Sequence, residues 1–131
     1  MVTRRKQRGF TLIEMMIVIS MIIILVSVAV PLYKQAILKA RETVLKDDLF
    51  TLRKTIDEYT YDKKKAPASL DDLVTDGYLK QIPKDPMTNQ ADWNPTMEAD
   101  VQDPQDYEIG LVDIHSSSDL ISTEGTAYSA W

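Results

Sequence analysis

From Phe10 to Val30 the chain has twenty-one consecutive residues with one ionisable side chain, Glu14, and three hydroxyl residues, Thr11, Ser20 and Ser27. At helical rise such a run spans about 30 Å, the thickness of a bilayer core. A domain of this size could hardly cover it as a buried core helix. An ordinary secretory signal has an apolar region of only about 7–15 residues, and no acid near its start. A plain membrane anchor meets the length but gives Glu14 no purpose. A carboxylate at this depth is expensive in lipid and marks function, and it needs a cationic partner.

The preceding residues, MVTRRKQRG, carry Arg4, Arg5, Lys6 and Arg8 and no acid. The positive-inside bias keeps such a segment cytoplasmic and places the rest of the chain across the membrane. The formal net charge is −5. Without those four basic residues, 11 basic side chains face 20 acidic ones, a balance of −9. An acidic head of this kind argues against nonspecific nucleic-acid binding. It favours solubility and attracts cations. No cysteine is present, which excludes disulfides, thiol catalysis and a cysteine zinc site. A head of about 100 residues buries only a modest core, so help from a metal, a partner or a polymer is expected.

Gly9-Phe-Thr-Leu-Ile-Glu14, after a short basic leader and before the apolar run, resembles the prepilin signature of type IV pilins and type II secretion pseudopilins. The resemblance covers residues 1 to about 33. It implies cleavage between Gly9 and Phe10 by a membrane prepilin peptidase, and N-methylation of Phe10, which keeps the amine charged. Glu14 then maps onto the family's assembly glutamate, and the amine of Phe10 in one subunit can pair with Glu14 of the next. Pro31 falls where family members often carry a helix-loosening proline. Proline removes one helical hydrogen bond and can kink the helix. On residue chemistry alone, Pro31 reads equally as a helix boundary at the membrane surface.

Beyond Pro31 the helical period resumes. Tyr33, Ile37, Ala40 and Val44 form one stripe, continued with a one-residue offset by Leu45, Leu49, Leu52, Ile56 and Tyr59. Charged residues, including Glu42, Lys46 and Arg53, are assigned to the other faces. Unbroken, Phe10 to about Asp62 makes a helix of about 80 Å. Lys63, Lys64 and Lys65 suit its carbonyl end. Ser69-Leu-Asp-Asp72 reads as a capping box opening a short helix that stops at Gly77. Tyr78, Leu79 and Ile82 should tuck under the head. Residues 87–106 read as a turn-rich loop broken at Asn94-Pro95 and Asp103-Pro104, with Trp93 and Met97 as anchors. Tyr107 to Leu111 alternates as a strand, continued by Val112-Asp-Ile. Thr126 to Trp131 reads as a short terminal strand. The expected fold is α+β, a long N-terminal helix on a small C-terminal antiparallel sheet with one short helix. The expected division is residues 1–9 leader, 10–32 membrane and filament-core helix, and 33–131 periplasmic head.

The order long helix, Ser-Leu-Asp-Asp-Leu helix, Leu79-Lys-Gln-Ile-Pro-Lys-Asp-Pro86 and strand pair is similar to the major, G-type pseudopilin of type II secretion. Met87-Thr88-Asn89 stands where that family commonly has an aromatic residue and a Gly-Asn turn. Ser116, Ser117 and Ser118 replace its glycine-rich loop. These departures leave open a divergent secretion system or a type IV pilus subunit, major or minor, serving adhesion, motility or DNA uptake. The resemblance implies a homopolymer and these partners: minor pseudopilins, the prepilin peptidase, an inner-membrane platform protein and its ATPase. It implies a single-pass inner-membrane precursor that becomes a periplasmic pseudopilus for protein secretion. Glu14 favours an ordinary subunit over the tip type. A third reading is an anchored domain that binds a periplasmic ligand without polymerising.

The same resemblance implies calcium in the C-terminal loop. Asp113, Ser116, Asp119 and Glu124 offer oxygens there, and calcium takes 6–8 of them. The competing reading is a solvated acidic loop. His115, the single histidine, reads as structural or solvent-facing rather than as a catalyst or ligand. The sequence has no nucleophile elbow, phosphate loop or zinc set, and none of its acidic pairs requires an enzyme.

Overall fold

The computed structural model describes residues 8–99 and 109–131. Arg4, Arg5, Lys6, the Asp103-Pro104 breaker and the strand start at Tyr107 lie outside the described residues. The elements are α1 (Leu12–Lys63), α2 (Leu70–Thr75), β1 (Asn94–Ala99), β2 (Ile109–His115) and a 3-10 turn at Tyr128–Ala130. The chain divides into two compact units, one ending at Ile37 and one running Leu38–Trp131.

In the first unit, α1 starts with a local cap. Its N-terminal amides lack helical partners, and the Thr11 hydroxyl accepts a hydrogen bond from the Glu14 amide at 3.2 Å. Glu14 thus lies in the first turn, where the helix dipole favours a negative charge. Ser20 and Ser27 donate to the carbonyls of Met16 and Ile24, each at 2.7 Å. Their hydroxyls are satisfied inside the helix, as an apolar environment requires. Pro31 lies inside α1 and not at its end, so the boundary reading of that residue does not hold. α1 is long and apolar enough to cross a membrane, and none of its most apolar window is buried.

In the second unit, Leu45, Leu49, Leu52, Ile56 and Tyr59 are buried, as their spacing predicts. Leu73, Trp93, Leu111, Ile114 and Tyr128 complete the core. Tyr33, Ile37 and Val44, from the first half of the proposed stripe, are exposed. α1 stops at Lys63, followed by Lys64 in the left-handed region (φ 60°). α2 opens at Ser69, whose amide donates to Asp72 Oδ2 at 3.3 Å while the Ala68 amide donates to the same oxygen at 2.8 Å. It closes at Gly77, with φ 82° and its amide on the Val74 carbonyl at 3.1 Å. Only glycine takes that angle without strain. Tyr78, Leu79 and Ile82 pack against the core.

β1 and β2 pair antiparallel, from Asn94 opposite His115 to Ala99 opposite Ile109, with an irregularity at Thr96/Met97. This corrects the expected loop at 87–106 over residues 94–99; residues 100–106 lie outside the described residues. Pro95 is tolerated because a strand of a two-stranded sheet has a free edge that needs no amide. Trp93 is buried and its indole donates to the Pro83 carbonyl at 2.8 Å. Met97 is exposed, against its expected place as an anchor on the core. Thr126 to Trp131 is a second correction. A single bridge joins Ile121 to Ala127, and a 3-10 turn follows. That turn sets Tyr128 and Trp131, three residues apart, edge to face at 5.2 Å, which an extended strand would not do.

Candidate functional site

Phe10 is exposed, as are Gly9 and the carboxylate-bearing Glu14 one turn into the chain's apolar run. A Cβ placed on Gly9 would meet nothing within 4 Å. Among the described residues, nothing at this position calls for glycine.

In the head, the C-terminal loop is held by side chains from elsewhere. Glu42 is buried, against the expectation of a solvent face. Its carboxylate accepts from the Thr123 amide at 2.7 Å, the Thr123 hydroxyl at 2.5 Å and the Tyr128 hydroxyl at 2.8 Å. Burial by itself raises the Glu42 pKa. The Thr123 and Tyr128 donors and the charge of Lys46 outweigh it and hold the group below its usual range. Burial and the adjacent Glu42 push the Tyr128 phenol up to about 12. Arg53 is the second holder. It donates to Asp113 Oδ1 at 2.6 Å, to the Ile114 carbonyl at 2.9 Å and to the Trp131 carbonyl at 2.7 Å. Burial raises the Asp113 pKa, but Arg53, the Ile114 amide and His115 together lower it below the ordinary value. His115 Nδ1 lies 2.7 Å from the Trp131 carbonyl, a structural place for the single histidine. The third holder is Asp85, fully buried in the Pro-Lys-Asp-Pro element, which accepts from Ser116.

A family model described as the prokaryotic N-terminal methylation motif matches residues 4–30. Type II secretion system core protein G of Pseudomonas aeruginosa is 35% identical over 102 residues, which cover 66% of this chain and 72% of that one. The proteins of the same name from Vibrio cholerae and Escherichia coli K12 are 35% and 34% identical over 100 residues each, covering 68% and 69% of their lengths and 65% and 64% of this chain. This chain belongs to the type II secretion system core protein G family. No solved structure matches it.

The calcium ligands expected of a core protein G chain do not come together. Asp113 is taken by Arg53. Glu124 is paired with Lys46 at 2.6 Å. Ser116 is turned inward to Asp85, and Asp119 is exposed. Among the described residues, no three His, Asp or Glu side chains gather where a metal ion could be held. A calcium ion needs several converging oxygens, and these four residues do not fit one. The shallow recess beside Lys46, Phe50, Arg53 and Trp131 brings no nucleophile to a base.

Sequence reasoning missed Glu42, Thr11 and Asp85. Glu42 lies three residues before Leu45, in phase with the buried stripe, so a carboxylate on a core-facing position was the available signal. Thr11-Leu-Ile-Glu14 has the spacing of a capping box. For Asp85 the local pattern offered only a turn.

Proposed function

We propose that this core protein G chain is a structural subunit of a type II secretion pseudopilus and not an enzyme. The observation that carries the reading is the run from Leu12 to Val30, exposed throughout, on a chain related to core protein G well into its head. Such a surface needs lipid or neighbouring subunits. The precursor sits in the inner membrane with its leader in the cytoplasm and its head in the periplasm. The prepilin peptidase cuts between Gly9 and Phe10. Support comes from the methylation motif, whose match at residues 4–30 includes both residues. Phe10 is then N-methylated, and its charged amine meets Glu14 of a neighbour as copies of the chain polymerise. Minor pseudopilins, the platform protein and its ATPase complete the machine and do the mechanical work.

The test is Glu14→Ala, introduced into secretion-competent cells. The variant should be made, cleaved and retained in the membrane. It should form no pseudopilus on overproduction, and secretion should fall to the level of a deletion strain. Filaments and secretion at wild-type levels would refute the assembly role of Glu14.

A further inference from the structure

We propose that the C-terminal loop of this head is closed by Glu42, in the position of command that a calcium ion would hold in a loop of converging oxygens. The argument is one of polarity. A cation gathers acceptors, so a cation-binding loop must turn carbonyl and carboxylate oxygens inward. This loop does the reverse. At residues 123 and 128 it turns donors inward, the Thr123 amide and the hydroxyls of Thr123 and Tyr128, and all three end on one carboxylate. A carboxylate has about four acceptor sites, so three donors nearly fill it.

The loop's own hydroxyl oxygens are engaged as well. Ser116 Oγ accepts from the Ser118 amide at 3.2 Å. Ser122 Oγ accepts from the amides of Glu124 and Thr126 at 3.2 and 3.3 Å. The loop's carboxylates at 113 and 124 are neutralised by Arg53 and Lys46. Glu42, Lys46 and Arg53 are spaced four and seven apart on α1, which puts them along one face. α1 thus presents an anion and two cations to the loop, and each finds its complement. Burial of an ionised carboxylate is costly unless its hydrogen bonds are made, so Glu42 has this position only while the loop is closed on it.

The experiment uses the full chain in detergent micelles, with thermal melting followed by Trp93 and Trp131 fluorescence, in calcium and in excess chelator. Calcium bound at a large excess over its dissociation constant would raise the midpoint by several degrees. The expected result is the same midpoint in both conditions, and no retained radioactive calcium in equilibrium dialysis. Glu42→Gln should lower the midpoint by about 5 °C and speed protease cleavage between residues 116 and 131, again without response to calcium. Tyr128→Phe removes one donor of the three and should show a smaller loss of the same kind, which preserves the test if Glu42→Gln does not fold. A midpoint that falls on chelation, or one equivalent of calcium retained, would overturn the proposal. So would wild-type melting and protease resistance in both variants.

Discussion

The Ser116 hydroxyl donates to Oδ2 of Asp85, thirty-one residues earlier in the chain and fully buried. The other oxygen of Asp85 accepts from the Met87 amide at 2.7 Å. Its main chain closes the turn, with its amide on the Gln90 carbonyl at 2.9 Å and its carbonyl on the Asn89 amide at 2.7 Å. One residue thus fixes the 85–90 turn and fastens the start of the C-terminal loop to it.

Asp85→Ala should destabilise the head by about 3 kcal/mol, because it strands the Met87 amide and the Ser116 hydroxyl. Ser116→Ala should cost less, about 1 kcal/mol, since it removes one donor and leaves the turn intact. Urea unfolding of the two variants gives the order, and a larger loss at Ser116 would contradict the assignment.

Gly110 tests a close approach. A Cβ there would collide with the Ala66 side chain, and β2 cannot simply retreat because the Leu111 amide is held on the Pro67 carbonyl at 2.7 Å. Gly110→Ala should cost about 2 kcal/mol by overpacking. Adding Ala66→Gly should recover part of that loss, and a double-mutant cycle without coupling would show that the two do not touch.

The buried stripe from Leu45 to Tyr59 could be read from the chain because a period of 3.6 survives any tertiary detail. The capped α2 was readable for the same kind of reason, since Ser69, Asp72 and Gly77 act locally. The loop was not. Glu42 and Thr123 are eighty-one residues apart, and no local pattern links them. The terminal segment misled because aromatic residues suit strands, while the inward placement of Tyr128 and Trp131 follows from what α1 presents to them. Val44 misled in another way, since two residues from the buried Glu42 on a helix it lies on the opposite face and is exposed.

Acid should weaken the head. Glu42 and Asp113 have folded-state pKa values below their ordinary 4.5 and 3.8. The folded state therefore binds fewer protons, and the stability from these groups is complete above those ordinary values. It is lost as pH falls through them towards the depressed folded values. The melting midpoint should be flat from about pH 8 to pH 6 and fall below about pH 4.5. Glu42→Gln should remove part of that fall.

Alkali acts on the same contact from the other side. With its pKa pushed up to about 12, the neutral Tyr128 phenol is favoured by the fold, and the stability it brings is lost as pH rises from its ordinary 10.0 towards that value. Burial also raises the Tyr59 phenol and the Asp62 hydrogen bond raises that of Tyr78, so tyrosinate absorbance in Tyr128→Phe should lose the latest-titrating phenol and keep the other two.

Processing is checked by mass. The membrane form should start at a methylated Phe10, and an intact chain from Met1 in secreting cells would exclude cleavage as a condition of function.

The hydroxyls of Ser20 and Ser27 are folded back onto their own helix, and aliphatic side chains clothe α1 all the way round there. Beyond its first turn, this half of the helix has no polar seam to keep facing a chosen neighbour. Contacts made by such a surface come from apolar burial, which has no preferred direction, so no hydrogen bond fixes the helix's rotation about its own axis there.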